Sequence, residues 1–337
     1  MLNGHGDDLY KAGTNIKANF STNVWYDADL DIIRSVLKTQ MDSIFHYPEP
    51  AAESFVNELA NFHGVTPRNI IAGNGATELF YLIAHAFEGA KTILPVPSFR
   101  EYEDACTLYK HQLSFFPLEG FLPVAGDLMF ICNPNNPNGH IWTLESIEHI
   151  LQQYPDMTLV VDESFINFAP TAKPCEPLLA RYPNLLIIHS MTKSFAIPGL
   201  RLGYMLGNET LIKRIKAFKF PWSVNSLAIE IGKFLIKNGH YLLPDTGRLM
   251  KRKQAFINQL DEIPNFIPLN SGTSFFLVHT KYNALELKEH LIERHGILIR
   301  DASNFRGLDE HYFRINTLSD EKNHMLIQAL RNLEFKI

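Results

Sequence analysis

The sequence predicts an α/β protein in which a large, mostly parallel sheet carries helices on both faces and a smaller α+β block follows it. Short apolar runs typical of buried parallel strands alternate with helical patterns from about residue 69 to residue 207. From about residue 218, a long helical region precedes shorter strands and a final helix. The 337 residues are enough for one large core or two domains. We therefore expect an N-terminal arm over 1–30 that joins the small domain, a large domain over 31–220 and a small domain over 221–337.

The composition is that of an ordinary globular protein, with 46% hydrophobic and 20% charged residues. The net charge of −5 offers no basic surface to nucleic acid or to an anionic membrane. No stretch approaches the roughly 18 apolar residues needed to cross a bilayer, and the first residues lack the basic start and apolar core of a signal peptide. The three cysteines are too few and too scattered for a disulfide framework or a metal site. A cytoplasmic protein without a metal centre is expected.

The N-terminal arm is polar over 5–10 and mixes aromatic with hydroxyl residues over 20–26. Two interpretations remain open, a disordered leader and a flap that closes over a ligand. An amphipathic helix follows over 29–40, with its apolar side chains on one face. A break at Tyr47-Pro48 separates it from a helix over 54–63, in which Phe55, Leu59 and Phe62 share a face.

The strand over 69–72 ends in a glycine-containing turn that enters a helix over 79–87. A helix N-terminus exposes unpaired backbone N–H groups at the positive end of the helix dipole. Gly75, Ala76 and Thr77 in this turn are therefore candidates for binding an anion. A tight connection that binds nothing is the alternative.

The next two strands and their loops continue the alternation. A strand over 92–94 precedes a helix that begins with Pro97, and Phe99 in this helix reads as a core residue from the sequence alone. A strand over 128–132 runs into the Pro/Asn/Gly segment 133–139, which is primarily a turn. Thr143 is suited to cap the following helix, which extends to Tyr154.

Two residues with chemical potential stand at the ends of consecutive strands. Asp162 ends the apolar strand 158–162, and Lys193 comes just after the apolar strand 184–189. The chain between them is long enough for one strand–helix–strand unit. Because α/β proteins place ligands at the carboxyl edge of the sheet, the two side chains are expected at one site. Ser190 and Arg201 near the lysine suggest a phosphate site beside it, and the alternative is a surface lysine in a loop.

Five elements in this order resemble the fold-type-I pyridoxal-phosphate enzymes of the class I/II aminotransferase family, and the resemblance covers nearly the whole chain. They are the 75–77 turn, Phe99, Asn136, Asp162 and the segment 190–201. The resemblance implies the aspartate aminotransferase-like fold of PLP-dependent transferases, with pyridoxal 5′-phosphate bound covalently to Lys193. It also implies the cofactor contacts, namely Gly75, Ala76, Thr77, Ser190 and Arg201 for the phosphate, Phe99 and Asp162 for the ring, and Asn136 for the phenolic oxygen.

The chemistry of the family accounts for these residue types. An aspartate beside the pyridine nitrogen keeps the ring protonated, and a protonated ring is the better electron sink for a carbanion at the substrate's α-carbon. The lysine serves as general base and acid. Near the C-terminus, the segment Tyr312–Asn316 resembles the one whose arginine, here Arg314, grips the substrate's α-carboxylate through its planar fork.

Two branches of the family are similar to this chain, the L-threonine-O-3-phosphate decarboxylases of cobalamin side-chain synthesis and the histidinol-phosphate aminotransferases of histidine synthesis. Both act on phosphorylated amino acids or amines, and in both Arg300 would contact the substrate's phosphate. Three features favour the decarboxylases. They are the leader, whose His5 would lie near the substrate phosphate, the segment 221–225, and Phe165 where most aminotransferases have a tyrosine. The aminotransferase stays the alternative, since the same residues support either outcome.

Two positions expected near the substrate depart from the pattern, because Asp7 replaces a glycine and Asn23 is not followed by proline. Tyr47 resembles a tyrosine that reaches the cofactor phosphate of the neighbouring subunit, which implies a homodimer. The alternative is a tyrosine packed beside a turn proline. A non-catalytic pyridoxal-binding module is disfavoured because Lys193 is present. A nicotinamide-dependent oxidoreductase is disfavoured because no G-x-G-x-x-G follows the first strand.

Overall fold

The computed structural model describes residues 7–9, 15–118 and 125–333, and the strands within them form sheets of seven, four and two strands. In chain order the strands are β1 (Ala18–Asn19), β2 (Ile70–Asn74), β3 (Lys91–Val96), β4 (Gln112–Pro117), β5 (Leu128–Cys132), β6 (Thr158–Asp162), β7 (Leu185–Ser190), β8 (Leu202–Gly207), β9 (Phe266–Pro268), β10 (Phe275–Thr280), β11 (Ile297–Leu298), β12 (Arg300–Asp301) and β13 (Tyr312–Asn316). The large sheet has the spatial order β2-β8-β7-β6-β5-β3-β4, and only β8 runs antiparallel to its neighbours. The predicted open, mostly parallel sheet is confirmed.

Helices cover both faces of this sheet, and further helices belong to the second half of the chain. In order they are α1 (Leu30–Gln40), α2 (Glu53–His63), α3 (Gly75–Ala86), α4 (Arg100–Leu108), α5 (Leu144–Gln153), α6 (Glu176–Leu179), α7 (Met191–Ser194), α8 (Glu209–Lys216), α9 (Ser226–Asn238), α10 (Thr246–Asp261), α11 (Ala284–His295) and α12 (Asp320–Arg331). Thr143 caps α5 as predicted, because its hydroxyl oxygen accepts a hydrogen bond from the Ser146 amide at 3.1 Å.

Strand β7 lies inside the large sheet, between β8 and β6, and is buried on both faces. Leu185 and Ile187 belong to the core on one side, and Leu186 and Ile188 belong to the core on the other. Side chains alternate along a strand, so a run of four apolar residues supplies both cores at once. This double burial explains why the segment reads as a continuous apolar run.

The small sheet is antiparallel, with the spatial order β12-β13-β10-β9, and α10, α11 and α12 pack against it around a third core that includes Phe256, Phe276 and Phe313. The arm joins this unit, because β1 pairs in parallel with β11 and Phe20 enters the same core. Helix α9, by contrast, shares the core of the large sheet through residues such as Ala228 and Ile231. The division of the chain after residue 220 stays a prediction.

Three details differ from the expected elements. Strand β4 is an edge strand whose residues are at most half-buried, and its alternating exposure gives no apolar run to detect. Phe62 is exposed although Phe55 and Leu59 on the same helix are buried. The expected strand over 297–300 is divided, since β11 pairs with the arm and β12 joins the small sheet. Among the described helices, none has the length and hydrophobicity to cross a membrane.

Candidate active site

A cavity of about 270 Å³ opens at the carboxyl ends of the central strands and at the N-terminus of α3. Its lining includes ten of the residues predicted for the site, namely Asn23 from the arm, Ala76, Thr77, Phe99, Asn136, Asp162, Ser190, Lys193, Arg201 and Arg314. The topology accounts for this convergence, because parallel strands deliver their carboxyl ends to one edge of the sheet.

The N-terminus of α3 and Arg201 form one end of the cavity. Gly75, the first residue of α3, has φ +75°, and a side-chain Cβ at this position would occupy the space that the Arg201 guanidinium holds. Arg201 itself has φ +56°, and its Nη1 donates to the Pro198 carbonyl at 3.0 Å. The Ser190 and Thr192 hydroxyl oxygens lie 2.8 Å apart on the same side. Backbone N–H groups, a guanidinium and two hydroxyls form a donor set that suits a phosphate group.

Asp162 is buried at the floor of the cavity and is held by three donors. The Tyr102 hydroxyl donates to one carboxylate oxygen at 2.5 Å, and the Ser164 amide and hydroxyl donate to the other at 2.9 and 2.5 Å. Burial raises the pKa of Asp162, and the hydrogen bonds from Ser164 and Tyr102 act in the opposite direction. A carboxylate fixed in this way needs a cation or an N–H donor on its free side, and a protonated pyridine nitrogen supplies both.

Lys193 lines the same cavity from the short helix α7. Burial, followed by the positive charges of Arg314 and Arg201, lowers the pKa of its amine from 10.5 to about 8. An appreciable fraction of the amine is therefore neutral near neutral pH, which is the state that attacks a carbonyl carbon. The backbone carbonyl of Lys193 accepts a hydrogen bond from the Trp25 amide at 2.9 Å, so the arm fixes the lysine's position.

Arg314 extends from β13 into the cavity and connects three parts of the chain. One Nη donates to Asn136 and the other donates to the Ser21 carbonyl at 2.6 Å. Among the described residues, the Arg314 Nε and both side-chain polar atoms of Asn23 are buried and make no hydrogen bond. Buried polar atoms without partners are costly, so this end of the cavity is suited to a polar ligand such as a carboxylate. The residues present therefore fit pyridoxal phosphate together with an anionic amino acid.

Phe99 serves the core and the cavity together. Its ring packs edge-on against Phe80 and Tyr102, with centroids 6.2 and 5.7 Å away, and it also lines the cavity. Asn136 lies in the middle of the 133–139 loop, where neighbouring Asn135 donates to the Pro97 carbonyl at 2.9 Å. The two interpretations of Phe99, core residue and cavity wall, are both compatible with this position.

Two predicted residues lie elsewhere. Tyr47 is 87% exposed and packs on the Trp222 ring with a centroid separation of 5.6 Å. Arg300 is buried, donates to the Asn304 side chain at 2.6 Å, and is not among the residues that line the cavity. His5 lies outside the described residues. The departures at Asp7 and Asn23 both line the cavity, as do Ser21 and Thr22 from the arm.

Tyr102 and Ser164 are the functional residues that the sequence analysis missed. Ser164 follows Asp162 by two positions, a spacing at which a hydroxyl can bond an aspartate, so a local signal existed. Tyr102 lies 60 positions from Asp162, and only the packing of α4 on the sheet brings the two together. No local sequence pattern predicts that contact.

Comparison with known proteins agrees with this geometry. The family model for aminotransferase class I and II matches residues 15–330. The crystal structure of L-threonine-O-3-phosphate decarboxylase from Porphyromonas gingivalis is 39% identical, with a TM-score of 0.90 over 93% of this chain and 98% of that one. The threonine-phosphate decarboxylase of Salmonella typhimurium is 27% identical over 98% of this chain and 96% of its own.

A histidinol-phosphate aminotransferase from Caldanaerobacter subterraneus subsp. tengcongensis is 33% identical over 90% of this chain and 87% of its own. Matches of this extent cover the arm, both sheets and the cavity together. The resemblance predicted from the five sequence elements is therefore confirmed, and the chain belongs to the class I and II aminotransferase family of pyridoxal-phosphate-dependent enzymes.

Proposed function

We propose that the protein decarboxylates L-threonine O-3-phosphate, releasing carbon dioxide and leaving a phosphorylated amino alcohol. The observation that carries the proposal is the 39% identity, over nearly the whole chain, to a decarboxylase of that substrate. Phe165, which the sequence analysis took as a feature favouring the decarboxylases, lines the cavity. The proposal includes a cytoplasmic location and a small phosphorylated amino acid as the substrate.

Pyridoxal phosphate, when bound, supplies a conjugated ring that withdraws electrons from the substrate's α-carbon. The residues proposed to hold its phosphate are Ser190, Arg201 and the backbone of 75–77. Asp162 would hold the proton at the ring nitrogen, Phe99 would fix the plane of the ring, and Asn136 would donate to the phenolic oxygen. These assignments rest on the shared cavity and on the donors described above.

Lys193 is the residue proposed to bind the cofactor and to move protons. An amine with a pKa of about 8 can accept a proton and return it near neutral pH. After loss of carbon dioxide, its Nζ would deliver a proton to the α-carbon. In transamination, the same Nζ would instead remove the α-proton.

In this proposal, Arg314 determines which bond is broken, because it fixes the substrate's carboxylate. A bond at the α-carbon breaks when it lies perpendicular to the conjugated plane, so the orientation of the carboxylate selects decarboxylation or transamination. Arg314 is held by Asn136 and the Ser21 carbonyl, which leaves its Nε for a ligand. Asn23 is proposed to help, since its side chain is buried in the cavity wall without a described partner.

Recognition of the substrate's phosphate by Arg300 and His5 remains part of the proposal. Arg300 and Arg314 are paired residues of β12 and β13, and the charge of Arg300 adds to burial in lowering the pKa of Arg314. Two neighbouring cations, of which Arg314 lines the cavity, favour a substrate with two anionic groups. Threonine phosphate, with a carboxylate and a phosphate, is such a substrate.

A homodimer with shared sites is also proposed. Several large apolar side chains are exposed in three places: after the end of α1, on α2, and just before α9. They are Met41, Ile44, Phe45, Tyr47, Phe62, Phe220 and Trp222. Phe45 and Phe220 are 76% and 77% exposed, which is unfavourable for a monomer in water. Burial of these residues against a second copy would bring Tyr47 towards the neighbour's cofactor phosphate.

The assay that tests the proposed reaction separates the two branches. Incubation with threonine phosphate is expected to release carbon dioxide, and incubation with histidinol phosphate and 2-oxoglutarate is expected to form no glutamate. The Lys193→Ala variant is the control for both reactions. Glutamate formation without carbon dioxide release would establish the aminotransferase, for which the 33% identity to a histidinol-phosphate aminotransferase is the supporting observation.

A further inference from the structure

A second cavity, of about 630 Å³, lies on the other side of the end of β7. Ser190 lines both cavities, so the strand end separates them. The second cavity contains a group of ionisable side chains that the proposed reaction does not use. They are Glu163, Glu176 and His189, which we name the acid–histidine cluster.

The cluster brings one donor atom from each of three elements to a single point. Glu163 follows β6, Glu176 begins α6, and His189 lies on β7. Their donor atoms all lie within 4.8 Å of one another. The His189 Nε2 is 3.3 Å from the Glu176 Oε1 and 3.7 Å from the Glu163 Oε2.

The 3.3 Å separation between His189 and Glu176 is that of two atoms that share a metal ion. Zinc binds histidine nitrogen and carboxylate oxygen at about 2.0–2.2 Å, so two donors of a tetrahedral site lie about 3.3–3.6 Å apart. A direct charge-assisted hydrogen bond between imidazolium and carboxylate is shorter, at about 2.7–2.9 Å. The His189 distances match the first geometry better than the second.

Unsatisfied atoms provide an independent argument. The Glu163 side chain is 0% exposed, and its Oε1 accepts a hydrogen bond from the Cys175 amide at 2.7 Å. That bond fixes the carboxylate with its Oε2 towards His189. Among the described residues, neither this Oε2 nor the His189 Nε2 makes a hydrogen bond. A buried carboxylate is costly unless a cation compensates it, and without a metal ion that cation is the His189 ring, whose pKa the two glutamates raise against the effect of burial.

We propose that the acid–histidine cluster binds one first-row divalent metal ion, through the Glu163 Oε2, the Glu176 Oε1 and the His189 Nε2. Two carboxylates balance its charge, and the mixed nitrogen and oxygen ligands suit zinc better than calcium or magnesium. The cavity leaves room for a water molecule as a further ligand. His63 supports the site, since its Nδ1 lies 3.8 Å from the Glu176 Oε1 and its Nε2 shares a hydrogen bond with the Tyr204 hydroxyl at 3.0 Å.

The position of the ion defines its role. His189 directly precedes Ser190, and Lys193 follows within the next turn. An ion that ties His189 to the segments after β6 and at the start of α6 would fix the strand end that separates the two cavities. The proposed role is therefore structural, and metal binding does not depend on which substrate the protein uses.

Spectroscopy with cobalt provides the test. The holoenzyme is treated with a chelator, dialysed and titrated with Co²⁺, and Zn²⁺ is titrated separately by calorimetry. We expect one equivalent of either metal per chain, and intense visible bands of tetrahedral Co²⁺ at longer wavelengths than the cofactor absorbs. Glu176→Gln and His189→Gln are each expected to weaken binding by at least about 100-fold, because loss of even a supporting contact costs 10–100-fold.

Glu230→Gln is the matched control, since this glutamate lies on α9 in a pair with Lys233 and outside the cluster. It should bind both metals as the unmodified protein does. The proposal is overturned if the unmodified protein gives no saturable binding or only octahedral Co²⁺ bands, or if both cluster variants bind as tightly as the control. Because the first two results need no variant, a variant that fails to fold leaves the test intact.

Discussion

At the scale of single residues, the amine of Lys193 is the group whose properties depend most on its neighbours. Burial and the charges of Arg314 and Arg201 disfavour the protonated amine, which lowers its pKa to about 8. In the apoenzyme, acylation of this lysine by a neutral reagent should therefore reach half of its maximal rate near pH 8. Arg314→Met removes one repulsive charge and is expected to move this midpoint to higher pH.

The measurement is mass spectrometry of the Lys193 peptide after brief labelling across a range of pH. Labelling of Lys110 in the same sample corrects for decay of the reagent, because its side chain is 83% exposed. Arg294→Met, at an exposed arginine, is the matched control and should leave the midpoint in place. A midpoint near the ordinary value of 10.5, or one unchanged by Arg314→Met, would contradict the electrostatic account.

Tyr102 gives a second prediction at this scale. Its hydroxyl donates to the buried carboxylate of Asp162, and burial raises the pKa of Tyr102 so that it stays a donor. Tyr102→Phe leaves that carboxylate with one donor fewer and should lower the free energy of unfolding by about 1–3 kcal/mol. Denaturant unfolding of the apoprotein measures this change. Tyr241→Phe, at an exposed tyrosine, should have little effect, and equal stability of the two variants would refute the assignment.

At the scale of elements, the junction between α11 and β11 holds the arm. Gly296 has φ +67°, its carbonyl accepts a hydrogen bond from the Lys17 amide at 2.7 Å, and a Cβ there would lie 2.5 Å from the Asn15 carbonyl oxygen. In Gly296→Ala, the left-handed backbone alone costs about 1–2 kcal/mol. The total loss of stability is expected to be larger, because the arm must also move. Limited proteolysis should then cut within the arm, and activity should fall because 21–23 line the cavity.

Gly64→Ala separates the two effects. Gly64 also ends a helix with a positive φ, of +65°, but a Cβ there would meet nothing within 4 Å. This variant should show the backbone strain alone and keep the arm protected from protease. Equal protease sensitivity in both variants would show that Gly296 does not anchor the arm.

Elements with a strong local signal could be predicted from the sequence. Strand β13 has the expected bounds, and β6 and β7 end within one residue of their expected ends because their apolar runs are buried on both faces. Edge strand β4 could not be predicted, since a half-buried strand has no continuous apolar run. The antiparallel direction of β8 could not be predicted either, since strand direction does not change the composition of a short segment. The same limit applies to the site, where strand ends indicate Asp162 and Lys193 but only tertiary packing brings Tyr102 to the carboxylate.

At the scale of the whole molecule, shared sites in a homodimer make a distinctive prediction. Lys193→Ala and Tyr47→Ala homodimers should both have low activity. Co-expression of the two variants should restore activity, because one site of the mixed dimer then combines Lys193 of one subunit with Tyr47 of the other. Purification through two different tags isolates the mixed dimer for assay. If Tyr47 acts within its own subunit, or the protein is a monomer, both sites stay defective and no activity returns.

The account depends most on Lys193 as the covalent attachment point of pyridoxal phosphate beside Asp162. Borohydride reduction of the purified holoenzyme fixes the cofactor to its lysine, and peptide mass spectrometry then locates it. The account predicts that the visible absorption disappears and that the added mass lies on Lys193, with a colourless Lys193→Ala protein as control. Attachment at a different lysine, such as the buried Lys253, or no attachment at all, would contradict it.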